Sequence, residues 1–155
     1  LVHRPLFDEE FVLAVPSGHH LAGTAAPLPV DALRGESVLL LEDGHCLRSQ
    51  ALSVCQMVGA SERRGFRATN LETLRQMVAA GVGMTLLPRL AVTPPVPPSP
   101  DVTLITFETP VPTRTIALFW RSTSPYGSLM PALAEVMSAL PDTLVRPAGS
   151  ATDRS

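Results

Sequence analysis

The chain has 155 residues, 45% of them hydrophobic, and its 14 acidic and 12 basic residues give a formal net charge of −2. This composition excludes an intrinsically disordered chain and predicts a globular domain whose core is divided at most between two small lobes. The basic residues are all arginine and are scattered along the sequence. The sequence therefore contains no basic patch suited to a phosphate backbone.

No membrane or targeting segment is recognisable in the sequence. The longest apolar runs, such as 37–41 and 84–87, are far too short to cross a bilayer. The first twenty residues mix Arg4, Asp8 and other charged residues with apolar ones, unlike a signal peptide. We therefore expect a cytoplasmic protein with no membrane partner.

Strands and helices alternate in the hydrophobic pattern, which predicts an α/β fold with mixed, mostly parallel sheets. The predicted elements are a strand at 11–15, a helical turn at 28–33, a strand at 38–41, a helix at 46–58, a strand at 65–68, a helix at 71–80 capped by Asn70, a strand at 84–87, strands at 102–106 and 115–120, and a helix at 129–140. Five prolines within residues 93–100 predict an extended loop. The small and polar residues of 141–155 predict a disordered tail.

The helix predicted at 46–58 contains both cysteines of the chain. Residues 43–45 interrupt the preceding strand, and Gly59 ends the helical pattern. Cys46 would begin this helix and Cys55 would lie about 13 Å along it, whereas a disulfide needs Cα atoms within about 7 Å. A disulfide between them therefore requires the helix to unwind, so that oxidation would exchange one local fold for another.

The two cysteines can be interpreted as packing residues of the core or as reactive thiols. In a cytosolic chain they are not expected to form a structural disulfide, and a free cysteine is usually a small buried hydrophobic residue. Cys46, however, would lie at the positive end of the helix dipole beside His45 and Arg48, which favours its thiolate. The apolar neighbours of Cys55 predict a raised pKa. On spacing alone, the packing interpretation is favoured.

A longer segment around the cysteines changes this balance. Residues 40–51, Leu-Leu-Glu-Asp-Gly-His-Cys-Leu-Arg-Ser-Gln-Ala, resemble the peroxide-sensing segment of the OxyR family of LysR-type regulators. Cys55 lies where that family has its second cysteine. Residues 66–83 resemble LysR-type regulators in general, and residues 114–118 with Arg121 resemble a further strand of the same family. The resemblance extends over residues 12–140.

The resemblance implies an effector domain of two α/β lobes, related to periplasmic binding proteins, whose first lobe is incomplete. Residues 1–10 would be a remnant of the first lobe and its hinge, and residues 11–115 the second lobe with the redox cysteines. Residues 116–140 would return to the first lobe, before the tail at 141–155. The chain lacks the family's winged helix-turn-helix and half of its first lobe, so we expect that it does not bind operator DNA by itself.

The resemblance also implies a function and its site residues. Cys46 would be the peroxidatic cysteine that hydrogen peroxide oxidises, and Cys55 the resolving cysteine that completes a reversible disulfide. His45 would bind or orient the peroxide, Arg114 would stabilise the thiolate, and Arg48 would add positive charge. The implied protein is not an enzyme and uses no cofactor. Its implied partners are hydrogen peroxide, further copies in a homodimer or homotetramer, and, through the full-length activator, DNA and RNA polymerase.

Other interpretations stay open for the residues and for the chain. His45 is also typical of a turn, Arg114 of a surface ion pair, and Arg48 of a solvated side chain. The chain could be a LysR-type effector domain that binds a small organic metabolite, with incidental cysteines. A thiol peroxidase is less favoured, because the sequence has neither Cys-x-x-Cys nor a Ser-His-Asp arrangement. Its histidines and cysteines are not at zinc-site spacings, so no metal is expected.

Overall fold

The computed structural model describes residues 1–24 and 26–149. The strands and α-helices of these residues are β1 (Val2–Pro16), β2 (Ser37–Leu41), α1 (Cys46–Val58), β3 (Ser61–Ala68), α2 (Leu71–Ala79), β4 (Met84–Pro88), β5 (Val102–Ile105), β6 (Thr113–Trp120), α3 (Met130–Ser138) and β7 (Arg146–Pro147). Short 3₁₀ helices lie at His20–Gly23, Val30–Leu33 and Arg89–Val92. The described residues form two units: the cysteine unit, Phe11–Pro112, and the terminal unit, which combines Leu1–Glu10 with residues 113–149.

The cysteine unit is built on a mixed sheet with the strand order β3-β2-β4-β1-β5. β2 pairs in parallel with β3 and β4, while β1 pairs antiparallel with β4 and β5. The central strands β2 and β4 are almost entirely buried, as is typical of strands that are covered on both faces. Helices α1 and α2 both pack against β2 and β3.

Aliphatic side chains from the sheet and from both helices form the core of the cysteine unit. Leu13, Leu39 and Leu86 of the strands are at most 1% exposed. Helix α1 contributes Leu47, Ala51, Val54, Cys55 and Val58 to this core. Complete burial of one large aliphatic side chain stabilises the folded state by roughly 1.5–3 kcal/mol, so the packed face of α1 holds the helix firmly on the sheet.

The ends of the helices have identifiable causes in the sequence. Gly59 ends α1 in the left-handed conformation at φ +77°, which glycine adopts without strain. The amide of Ala60 also donates to the carbonyl of Cys55 at 2.9 Å, which completes the turn. At the start of α2, the side chain of Asn70 accepts a hydrogen bond from the amide of Thr73 at 2.8 Å. This is the N-cap predicted from the sequence.

The terminal unit pairs the first part of β1 with β6 and β7, all antiparallel. The sequence predicted disorder from residue 141, and for residues 141–149 this prediction is wrong. Val145 is 4% exposed, β7 pairs with Phe7 and Asp8, and the amide of Gly149 donates to the Asp8 carboxylate at 2.9 Å. These contacts compensate for the weak propensities of the segment; the rest of the predicted tail lies outside the described residues.

The predicted α/β class is correct, but the description of the sheets as mostly parallel is wrong. Among the described strands two pairs are parallel and four are antiparallel. The reason is β1, which is fifteen residues long and pairs antiparallel with every strand beside it. The cysteine unit ends at Pro112 rather than at residue 115, because Thr113 already pairs with Glu10 of β1.

Two searches of the described residues limit the kinds of site that they form. None of their helices combines the length and apolar character needed to cross a membrane. Within residues 1–24 and 26–149, no group of three or more His, Cys, Asp or Glu side chains is placed to hold a metal ion.

Replacing the cap residue in Asn70→Ala should lower the free energy of unfolding by about 1 kcal/mol, because the amide of Thr73 loses its acceptor. Urea denaturation followed by circular dichroism measures this change. Asn70→Asp serves as the control, since aspartate caps equally well, and it should leave stability unchanged. Equal stability of the alanine and aspartate variants would show that the cap contributes nothing.

Candidate functional site

Helix α1 begins at a tight turn that sets Cys46 at its first position. Gly44 has φ +97°, a conformation that favours glycine, and His45 is the extended N-cap residue. The amide of Arg48 donates to the carbonyl of His45 at 3.0 Å. Among the described residues the His45 side chain makes no capping hydrogen bond, and it is half-buried beside Cys46. The first amides of the helix therefore point toward the end that carries the Cys46 thiol.

The two cysteines lie in opposite environments on the same helix, and both are free thiols. Cys46 is exposed, whereas Cys55 is 0% exposed and belongs to the core. Burial raises the pKa of the Cys55 thiol to about 11, because the core disfavours the charged thiolate. Nine residues of intact helix separate the two thiols by about 13 Å along the axis, so they cannot bond without rearrangement.

Arg48 holds the first turn of α1 against the two strands beside it. Its guanidinium donates to both carboxylate oxygens of Glu62 on β3, each at 2.8 Å. The same group donates to the carbonyl of Leu41 at the end of β2 at 2.9 Å, and its Nε lies 3.0 Å from Oδ1 of Asp43. The Arg48 side chain is only 11% exposed. Its donors are thus engaged by protein acceptors rather than held out in solvent.

Arg67 closes a cluster of four charged residues, here called the Arg48 cluster: Asp43, Arg48, Glu62 and Arg67. Arg67 lies 2.6 Å from Oδ2 of Asp43 and 3.2 Å from Oε1 of Glu62. The hydrogen bonds from Arg48, with smaller contributions from the charges of both arginines, hold the pKa of the Glu62 carboxyl below its ordinary value. Glu62 is therefore ionised at neutral pH, and the cluster loses this partner only as acid protonates it.

An irregularity in the pairing of β2 with β3 brings Glu62 and Arg67 together. Val38 pairs with Glu62 and Leu40 with Arg67, so five steps along β3 match only two along β2. The additional residues of β3 include Gly65, which has φ +83°. Without this bulge, Glu62 and Arg67 would lie five residues apart on a regular strand, too far for their side chains to contact each other.

Arg114, the remaining residue predicted for the site, belongs to the terminal unit, whereas His45, Cys46, Arg48 and Cys55 belong to the cysteine unit. Arg114 lies on β6, where its Nε and Nη2 atoms are 2.8 and 2.7 Å from Oε2 of Glu9. Glu9 is 1% exposed. The partner of Arg114 is therefore a buried carboxylate rather than the surface carboxylate of the alternative interpretation.

Sequence reasoning missed Glu62, Asp43 and Arg67. The charged start of β3 shows no alternation, so the predicted strand began at Gly65 rather than at Ser61. Nothing in the linear pattern joins residue 48 to residue 62. The usable signal for this cluster was local, because Asp43 in the turn before α1 and Arg48 in the first turn of α1 carry opposite charges.

Two further features lie in the same unit. Gln50, one turn after Cys46, has a buried Oε1 atom that has no hydrogen-bond partner among the described residues. A cavity of about 180 Å³ is lined mainly by prolines and valines of the segment after α2, together with Arg75 and Leu104. The residues described as lining this cavity do not include Cys46, Cys55, His45 or Arg48.

The arrangement can support thiol chemistry in which the two cysteines have different roles. An exposed thiol beside the amides of a helix start is placed to meet a small oxidant from solvent. A buried thiol with a raised pKa is protected from the same oxidant while the helix is intact. The difference between the two thiols therefore depends on the fold rather than on their sequence neighbours alone.

The free energy of unfolding of the reduced chain should fall by roughly 2 kcal/mol as the pH rises from about 9 to about 11. The sign follows from the raised pKa: the unfolded chain ionises Cys55 near 9.0, while the folded chain keeps it protonated to about 11. The chain has no lysine and one tyrosine, so few other groups titrate in this window. Urea denaturation across this range measures the slope.

Cys55→Ala should remove most of this slope, and Cys46→Ala is the matched control that should keep it. An equally steep loss of stability in Cys55→Ala would contradict the assignment to the buried thiol.

Comparisons with known proteins identify relatives over nearly the whole chain. Residues 1–141 match the family described as LysR substrate binding domain. The DNA-binding transcriptional dual regulator OxyR of Escherichia coli K12 is 49% identical over 141 residues, which are 91% of this chain and 46% of that protein. The hydrogen peroxide-inducible genes activator of Haemophilus influenzae is 45% identical, over 88% of this chain and 45% of its own. The chain thus spans about half the length of these curated relatives.

Solved structures agree with the sequence relatives. The crystal structure of the reduced form of OxyR is 46% identical and superimposes with a TM-score of 0.75, over 89% of this chain and 63% of that chain. The crystal structure of the oxidized form of OxyR gives 48% identity and a TM-score of 0.74, over 89% and 64%. These findings confirm the resemblance to OxyR regulators and the fold class of a two-lobe α/β effector domain. The chain belongs to the family of LysR substrate-binding domains.

Proposed function

We propose that this chain is the peroxide-sensing part of a transcription regulator, with Cys46 as the peroxidatic and Cys55 as the resolving cysteine. The observation that carries the proposal is the contrast between an exposed thiol at the start of α1 and a buried thiol nine residues later on the same helix. The relatives named as hydrogen peroxide-inducible activators, and the solved reduced and oxidized forms of OxyR, support this function.

In the first step, the Cys46 sulfur attacks one oxygen of hydrogen peroxide. The O–O bond breaks, water leaves, and Cys46 becomes a sulfenic acid. In the second step, the Cys55 sulfur attacks the sulfenic sulfur, a second water leaves, and the disulfide forms. One peroxide is thus reduced to two waters while two thiols are oxidised to one disulfide. The second step requires α1 to unwind, because the intact helix holds the two sulfurs apart.

The neighbouring residues take supporting roles in this proposal. His45, the N-cap residue beside Cys46, binds or orients the peroxide. Arg48 adds positive charge near the helix start, although its contacts to Glu62 and Asp43 favour a positioning role over direct contact with peroxide. Arg114 is proposed from the family resemblance to stabilise the thiolate, but its ion pair with buried Glu9 favours a structural role.

We further propose that the domain acts as a sensor rather than an enzyme, reacting once in each cycle of oxidation and reduction. Within a longer, cytoplasmic regulator it would form a homodimer or homotetramer and transmit its state to an attached winged helix-turn-helix. DNA and RNA polymerase would be partners of that longer protein.

One equivalent of hydrogen peroxide should convert the reduced chain to an intramolecular Cys46–Cys55 disulfide, detected by peptide mapping. Cys46→Ser should abolish the reaction, because Cys55 is buried and protonated. Cys55→Ser should stop at a sulfenic acid that dimedone traps on Cys46. Ser49→Ala, at an exposed position on the same helix, is the control that should react normally.

Two free thiols in the parent chain after this dose would overturn the proposal. A disulfide that still forms between chains of Cys46→Ser would equally contradict the assigned roles.

A further inference from the structure

We propose that Glu62 is a positioning residue that acts through Arg48 to hold the first turn of α1 in the reduced conformation, and so sets the midpoint of the thiol–disulfide equilibrium. This inference rests on the proposed function, since it concerns the equilibrium between Cys46 and Cys55. It assigns roles in that equilibrium to Glu62 and Arg67, which the proposed function does not otherwise use.

The contacts of Arg48 join the first turn of α1 to strands that lie outside the helix. Arg48 is two residues after Cys46 and inside the segment that a disulfide to Cys55 would close. Two of its partners, the Leu41 carbonyl and the Glu62 carboxylate, lie on strands outside that segment. Those strands are fixed by pairing with each other and, for β2, by a buried apolar run. Unwinding the first turn of α1 therefore moves Arg48 away from partners that stay in place.

These contacts are strong enough to influence an equilibrium. The Arg48–Glu62 pair is bidentate, with both distances at 2.8 Å, and the side chains are only 11% and 22% exposed. Bidentate pairs with little solvent exposure are stronger than surface ion pairs, and loss of one partner removes part of the charge compensation of the other. The Arg4–Glu135 pair of the terminal unit, at 4.0 Å and 44% and 73% exposed, illustrates the weaker kind.

The Arg48 cluster forms where the pairing of β2 with β3 departs from regular register. The bulge in β3 brings Arg67 to within 3.2 Å of Oε1 of Glu62, so this carboxylate accepts from two arginines at once. Arg67 also contacts Asp43 in the turn before Cys46. Glu62 thus anchors the helix directly and the preceding turn through Arg67, which ties the position of Cys46 to β3 from both sides.

The test is the equilibrium of the complete 155-residue chain with dithiothreitol. In this exchange the protein disulfide is reduced to two thiols while dithiothreitol is oxidised to its cyclic disulfide, so electrons and protons balance. Glu62→Gln should shift the equilibrium constant toward the protein disulfide by about tenfold, because the reduced state loses its charge-assisted bidentate pair with Arg48. The fractions of thiol and disulfide are read by alkylation and mass spectrometry.

Glu36→Gln is the matched control. Glu36 lies in the same unit, is 28% exposed and pairs with His20 at 3.2 Å, but its carboxylate is not part of the Arg48 cluster. This variant should leave the equilibrium constant unchanged. Arg67→Gln should shift it in the same direction as Glu62→Gln but less, because Arg67 is 47% exposed, and it provides a second test if Glu62→Gln does not fold.

A double-mutant cycle tests whether Glu62 acts through Arg48. Arg48→Gln should shift the equilibrium at least as far as Glu62→Gln does, and adding Glu62→Gln to it should cause much less than the full Glu62→Gln shift, because only the contact between Glu62 and Arg67 remains to be lost. Additive shifts, or an unchanged constant in both Glu62→Gln and Arg67→Gln, would overturn the inference. The parent chain separates this failure from failure of the proposed function: if the parent forms no Cys46–Cys55 disulfide with peroxide, the function itself is wrong.

Discussion

The constraint on which the site depends is the placement of both thiols on one continuous helix. An intact α1 separates Cys46 from Cys55 by about 13 Å of rise, so the reduced fold and the disulfide exclude each other. The same helix gives the thiols different environments, since it starts in an exposed turn and ends in the core. The different environments of the two thiols and the distance between them therefore have the same cause, the position of α1 on the sheet.

The two ends of α1 are held by different forces. Its later turns carry Val54, Cys55 and Val58, whose burial in the core is non-directional and strong. Its first turn buries Leu47 and is otherwise held by the directional contacts that Arg48 makes with β2, β3 and the preceding turn. When the first turn of α1 unwinds, its hydrogen bonds and ion pairs are replaced by contacts with water, at a modest net cost in free energy. Unwinding the later turns instead would expose their apolar side chains and lose the whole hydrophobic contribution of that end. This asymmetry favours unwinding from the Cys46 end.

Much of this organisation could be predicted from the sequence, for reasons that lie in particular residues. The limits of α1 were predicted correctly because a turn precedes Cys46 and Gly59 follows the last apolar position. The cap at Asn70 is equally local. The pairing of the sheet was less accessible: β1 carries both a buried and an exposed stretch, and its antiparallel partners lie far away in sequence.

The Arg48 cluster shows why the rest escaped prediction. Its members lie on a loop, a helix and a bulged strand, and they meet only because β3 departs from regular register. Charge spacing along a chain does not report such a register shift. The order of residues 141–149 was missed for a similar reason, because it depends on pairing with β1 and on the partner that Asp8 offers to Gly149.

The most direct test of this account is amide hydrogen exchange of the reduced chain and of the peroxide-treated chain. If oxidation exchanges the intact helix for the disulfide, amides of the first turns of α1 should lose protection, while those of α2, behind its Asn70 cap, should keep it. A chain in which peptide mapping finds the Cys46–Cys55 disulfide while α1 remains as protected as in the reduced form would contradict the account.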